Sequence, residues 1–192
     1  MSSRTVGKGL CLRIWIATFS SVAIIALTGC STMNDSDDRL DHTPETREIS
    51  DARAEVRNIS AKILELINLH GKVSDRGPGV SECSGKDPGR FYSIHHRWSV
   101  TDVPVGDMKK AMASLKADLP KHGWKIFGYG PDKSPSKSLK LVAEFAEKRF
   151  FVNIHLYDES GRAKPDGPKS KIFVDLLSEC FQVPKGKTVD EY

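Results

Sequence analysis

Between Trp124 and Cys180 four stretches that read as strands follow one another, and none of the connections between them reads as a crossover helix. The stretches are 124–129, 139–145, 150–157 and 172–180. Leu139, Leu141, Ala143 and Phe145 alternate with Lys140, Val142 and Glu144, and Val152, Ile154 and Leu156 alternate with Asn153 and His155. A tight turn at 147–149 joins the second and third as a hairpin. The longest connection, 158–170, is broken by Gly161, Pro165, Gly167 and Pro168. A parallel pair needs a crossover of a dozen or more residues, usually helical, so these strands are expected to run antiparallel as a meander.

The first half of the chain supplies what packs on that sheet. Thr43-Pro44 places an N-cap residue before a proline at the first helical position, with Glu45 and Glu48 where the helix dipole favours acids. From there Ile49, Ala52, Val56, Ile59, Ile63, Leu66 and His70 recur at steps of three and four, and Gly71 is the expected C-cap. The narrow stripe predicts a helix packed on its own domain rather than on a second copy. Residues 72–89 carry Gly77-Pro78-Gly79 and Asp87-Pro88-Gly89 and read as a loop holding Cys83. Tyr92, Ile94, His96, Trp98 and Val100 form one face of a strand, and Met108, Ala111, Met112, Leu115 and Leu119 one face of a second helix ending at Gly123. The order is α-β-α-β-β-β-β, an α+β domain over 43–183 in which an antiparallel meander is packed by two helices. Residues 184–192 read as a polar, frayed C-terminal tail.

The start of the chain concerns address. Arg4, Lys8 and Arg13 precede an apolar run at 14–27, the pattern of a secretory signal peptide and too short for a permanent span. The run ends in Leu27-Thr28-Gly29-Cys30, which resembles the lipobox of bacterial lipoproteins. The resemblance implies cleavage after Gly29, removal of residues 1–29, a diacylglyceryl thioether on Cys30, and lipid anchorage at the cell membrane facing the extracytoplasmic side. Residues 30–42 then read as the lipidated N-terminus and a flexible acidic tether. Removing 1–29 takes three of the 29 basic residues and no acid, leaving 26 against 25. That balance gives no support to a nucleic-acid partner.

Of four cysteines, Cys11 leaves with the signal peptide and Cys30 takes the lipid. Cys83 and Cys180 remain, an even pair in an oxidising compartment, and are expected to form one disulfide. No G-x-S-x-G elbow, H-E-x-x-H helix, P-loop or dinucleotide fingerprint occurs, so no catalytic, metal or cofactor residue is assigned. His95 and His96 point to opposite faces of their strand and cannot share a metal, although His95 could meet His155 on the polar face. Trp98, Trp124, Tyr92, Phe127 and Tyr129 read as core more than as an aromatic platform. Lys133, Lys137, Lys140, Lys164, Lys169 and Lys171 cluster in the meander connections, where an anionic wall polymer or lipid could meet them. The triplet Asn58-Ile59-Ser60 reads as a chance glycosylation match on a helix.

Three functions are carried forward. The first is a non-enzymatic binding or accessory domain with an envelope protein or wall partner, as a monomer. The second is a small-molecule or lipid carrier with a pocket lined by Trp98, Met108, Met112 and Phe145. The third is an envelope hydrolase whose site gathers His95, His155, Asp175 or Glu144.

Overall fold

The computed structural model describes residues 43–162 and 167–191. The stretches expected to be a signal peptide, a lipobox with Cys30 and an acidic tether to residue 42, together with Lys164, lie outside the described residues. The elements are α1 (Ile49–Ile67), β1 (Lys72–Asp75), β2 (Gly79–Glu82), β3 (Phe91–Thr101), α2 (Val105–Asp118), β4 (Lys125–Pro131), β5 (Leu139–Phe145), β6 (Phe150–Tyr157), β7 (Lys171–Ser178) and β8 (Phe181–Gln182), with short 3-10 turns at Leu119–His122, Ser160–Arg162 and Val189–Glu191. The strands form one sheet in the order β1-β3-β7-β6-β5-β4, and β2 and β8 also pair with β3. Every strand pairing is antiparallel. The chain is therefore an α+β fold in which the β4-β5-β6-β7 meander is closed by β3, and two helices pack on the sheet.

Alternation decides which side the helices take. Tyr92, Ile94, His96, Trp98 and Val100 of β3 are all buried, as are Phe150, Val152, Ile154 and Leu156 of β6 and Ile172, Val174 and Leu176 of β7. Against them pack Ile49, Ala52, Val56, Ile59, Ile63 and Ile67 of α1 and Met108, Ala111, Met112 and Leu115 of α2 in a single core. The stripe on α1 thus faces its own sheet. It closes on Ile67 rather than on His70, which is exposed beyond the helix end.

Four expectations need correction. The helix does not begin at Thr43-Pro44, because Thr46 bridges Gln182 in parallel. Arg47 N–H donates to the Gln182 carbonyl at 2.8 Å and Gln182 N–H to the Glu45 carbonyl at 2.8 Å. Those bonds hold the segment extended until Glu48, whose ψ of 139° is the last non-helical value. Gly71 is not the C-cap either; Asn68 takes the left-handed position at φ 48°. Gly71 is instead required by closeness, since a Cβ there would lie 2.3 Å from the Thr101 carbonyl oxygen. The stretch 72–89 is not all loop: β1 pairs with Trp98–Thr101 and β2 with Tyr92–His95. Together they cover most of the free edge of β3. Finally, the tail from Pro184 is tied down, with Val189 N–H donating to the Gly89 carbonyl at 3.0 Å and Lys187 Nζ 2.7 Å from Glu48 Oε1.

Cys83 and Cys180 are disulfide-bonded with a Cα separation of 6.0 Å. The bond ties the segment after β2 to the turn between β7 and β8, and 97 residues of chain separation lie between its ends. Among the described residues no helix is long and apolar enough to cross a membrane.

Candidate functional site

Between them the two helices contact three central strands, α1 touching β3 and β7 and α2 touching β6 and β7. The side chains that alternate with the core residues therefore form an opposite sheet face on which, among the described residues, no helix lies. Register places its rows. Arg97, Asp175, Asn153 and Val142 lie side by side across β3, β7, β6 and β5. One row further, Ser99, Phe173, His155 and Lys140 are neighbours, and beyond them Lys171 pairs with Tyr157. Phe151, Phe173, Tyr157, Leu177 and Val142 on this face are all half-buried, leaving apolar surface in contact with solvent.

Rings and cations concentrate at one end of the face. His155 and Tyr157, two apart on β6, stack at 5.5 Å with planes 8° apart, and Tyr157 meets Phe173 at 6.3 Å. Lys171 Nζ sits 5.6 Å from the centroid of Tyr157 and 6.0 Å from that of Phe173, within cation–π range. Burial, reinforced by the charge of Lys140, pushes the His155 imidazole below its usual range despite Asp132 and Asp175 nearby. The ring is therefore neutral at pH 7, and its Nδ1 is buried without a hydrogen-bond partner. The Asp132 carboxylate is 3.8 Å from that atom.

The histidine pair expected on this face does not meet. His95 lies opposite Leu177 and His155 opposite Phe173, four residues apart along β7, or about 13 Å at the rise of a strand. His95 instead approaches Asp175 at 3.7 Å, and Arg97 holds the same carboxylate at 3.1 Å. Among the described residues no group of three or more His, Cys, Asp or Glu is placed to hold a metal ion.

The other face holds a constellation that sequence reading missed. His96 is 2% exposed, and its Nδ1 lies 2.7 Å from Ser60 Oγ on α1 while its Nε2 lies 2.7 Å from Asp75 Oδ1 on β1. In the tautomer that carries its proton on Nε2, the Ser60 hydroxyl donates to Nδ1 and Nε2–H donates to Asp75. Burial alone would raise the Asp75 carboxyl, but the Gly77 N–H at 2.6 Å and the His96 ring outweigh it and hold the group below the usual range. These are the residue types of a nucleophilic triad. Ser60, however, is 5% exposed in mid-helix and lines neither hollow described below. Its hydroxyl serves to pin α1, β3 and β1 together. A polar pair on an otherwise apolar stripe, Ser60 on α1 and His96 on β3, was the available sequence signal.

The pocket expected of a carrier is filled. Trp98, Met108 and Met112 are core residues at 3%, 0% and 0% exposure. Phe145 lines a different hollow, a groove of about 620 Å³ beside α1, with Ile59, Ile63, Leu66 and Trp124 on its floor and Asp51, Lys62 and Glu65 on its rim. Its end is closed by Glu55, which Arg47 grips at 2.5 Å and Lys148 at 2.7 Å. Burial would raise the Glu55 carboxyl, but these two cations hold it below the usual range. Past them lies a smaller polar hollow of about 210 Å³ beside Cys180. Of the aromatic residues considered as a platform, Tyr92, Trp98 and Trp124 are buried, Tyr129 is packed against the core, and only Phe127 stands out at 58%. Lys169 is engaged by Asp102 at 2.6 Å.

No family model matches the chain, and no solved structure matches it. The chain is 28% identical over 146 residues to the megakaryocyte-associated tyrosine-protein kinase of Mus musculus, a match spanning 73% of this chain and 25% of that protein. The chain thus spans about a quarter of the length of that curated relative.

Proposed function

We propose that this chain is a lipid-anchored extracytoplasmic domain that binds a partner at the cell envelope through its uncovered sheet face, without catalysing a reaction. The observation that carries the address is Leu27-Thr28-Gly29-Cys30 directly behind the apolar run at 14–27. The Cys83–Cys180 disulfide supports it, because such bonds persist in oxidising compartments and are rare in reducing ones. Two or three acyl chains on Cys30 give stable anchoring where one would be marginal. The filled core and the half-buried rings on the open face support surface binding over enclosure of a ligand. The carrier reading keeps one argument in its favour: the groove beside α1 has an apolar floor and a volume in the range of small-molecule sites. The separation of His95 from His155 by four residues along β7 speaks against the hydrolase reading.

The test has two readouts on the full-length protein in its own membranes. Mass spectrometry of the N-terminal peptide should find Cys30 acylated, and Cys30→Ala should release the protein from the membrane fraction. Cross-linking should then recover one partner in near-equal amount from the anchored form only. An unmodified Cys30 overturns the address. A modified Cys30 with no partner but a retained small molecule in native mass spectrometry overturns the surface-binding reading in favour of the carrier.

A further inference from the structure

The open sheet face is not uniform, and its charge is concentrated at one end. Lys140 and Lys171 flank His155, Tyr157 and Phe173 there, and the adjoining 132–138 connection adds Lys133 and Lys137, both exposed. Among the described residues none of these four lysines forms an ion pair. The acids at that end are already engaged. Asp132 Oδ1 accepts from the Ser134 N–H at 3.0 Å and the Ser134 hydroxyl at 2.5 Å. Asp158 is held by Ser160 at 2.5 Å and by Lys109 at 2.9 Å, which keeps its carboxyl at about 2. Asp132 stays ionised beside His155, so the four lysines leave a net positive charge, reduced but not cancelled, around an apolar ridge of rings.

We infer that this corner, formed by Lys140, His155, Tyr157, Lys171 and Phe173, binds an acidic polysaccharide strand of the cell wall. The inference rests on the reading of the chain as an exported domain and names the partner of the same face. Charge complementarity fixes the sign of the ligand, the lysines taking carboxylates spaced along the strand. The rings select the class, since Tyr157 and Phe173 offer an apolar seat to the C–H faces of pyranose rings. Lys140, Lys171 and the rings are half-buried, whereas Lys133 and Lys137 stand exposed on the connection beside them.

The full chain in non-ionic detergent is titrated with hexagalacturonate, with maltohexaose as the neutral counterpart and polyphosphate as a charge without sugar. Hexagalacturonate should bind saturably and at least tenfold more tightly than maltohexaose. Lys171→Gln and Tyr157→Ser should each weaken it five- to tenfold, with Tyr157→Phe retaining it and thermal melting showing each variant folded. Lys133→Gln with Lys137→Gln should change it less than twofold. Absence of binding overturns the inference. So does Tyr157→Ser binding like the parent, or polyphosphate binding equally well per charge, since either leaves bare electrostatics. Because the titration does not involve Cys30, its failure leaves the anchoring experiment untouched, whereas an unmodified Cys30 with intact hexagalacturonate binding would keep the site and remove the cell wall as its partner.

Discussion

Single residues on the two sides of the sheet respond to substitution and to pH in different ways. On the covered side, Ser60→Ala leaves His96 Nδ1 buried without its partner, and an unsatisfied buried group costs about 1–3 kcal/mol. Chemical denaturation should show that loss. Asp75→Asn keeps an oxygen that can accept from Nε2–H and should cost less, and the reverse order would mean that the carboxylate charge, not the hydrogen-bond chain, holds β1 in place. On the open side, His155 titrates below its ordinary value of about 6.5 because burial and Lys140 disfavour its charged form. The unfolded chain therefore binds the proton first as pH falls below that value, and stability declines with it. Glu55, Asp75 and Asp158, all held low, give up their contribution only under stronger acid. The melting temperature of the parent should fall between pH 6.5 and 5, and His155→Asn should flatten that limb while leaving the acid limb. A parent whose melting temperature is level across that window would show that His155 takes up its proton freely.

At the level of elements, what the sequence could show depended on where each element's backbone bonds go. Strands β5, β6 and β7 carry their own evidence, because strict alternation of Val152, Ile154 and Leu156 with Asn153 and His155 has one solution. The same parity places Phe151, Tyr157, Phe173 and Leu177 together on one face, but both faces hold large apolar residues, so alternation alone did not say which the helices would cover. Four-residue strands such as β1 and β2 leave no periodic trace; they exist because the edge of β3 offers partners. The misplaced start of α1 has the same origin. Pro44 fits an extended segment as well as a first helical turn, and the bonds to Gln182 decide between them. Likewise Gly71 looks like a helix terminator in sequence, yet what demands glycine is the approach of Thr101. Gly71→Ala tests that difference. A lost C-cap would cost little, whereas a Cβ placed 2.3 Å from the Thr101 carbonyl and 2.5 Å from Val103 forces the backbone entering β1 to move. The expected cost is about 1–3 kcal/mol, the range for overpacking, accompanied by faster amide exchange along β1 and the facing part of β3. A variant as stable as the parent would show that this entry to the sheet is loose.

For the whole molecule the disulfide links stability to address. Its 97-residue separation encloses β3, α2 and the entire meander, so opening it frees nearly the whole sheet in the unfolded chain. The chain-entropy model puts such a closure at about 4–5 kcal/mol, a large share of the roughly 5–15 kcal/mol that holds a typical domain together. At about 2–4 °C per kcal/mol for a chain of this size, reduction should lower the melting temperature by about 10–20 °C. Cys83→Ser with Cys180→Ser should reproduce the reduced value without reductant. Both measurements need alkylation to show two free thiols in the reduced protein and none in the parent. If the reduced and oxidised forms melt together, the helices and sheet suffice by themselves and the fold is indifferent to its compartment. If they separate as expected, the chain is at its most stable where the bond forms. On the proposed address, the segment ending at Cys30 would carry the chain to the oxidising side of the membrane and the cysteine pair would stabilise what folds there.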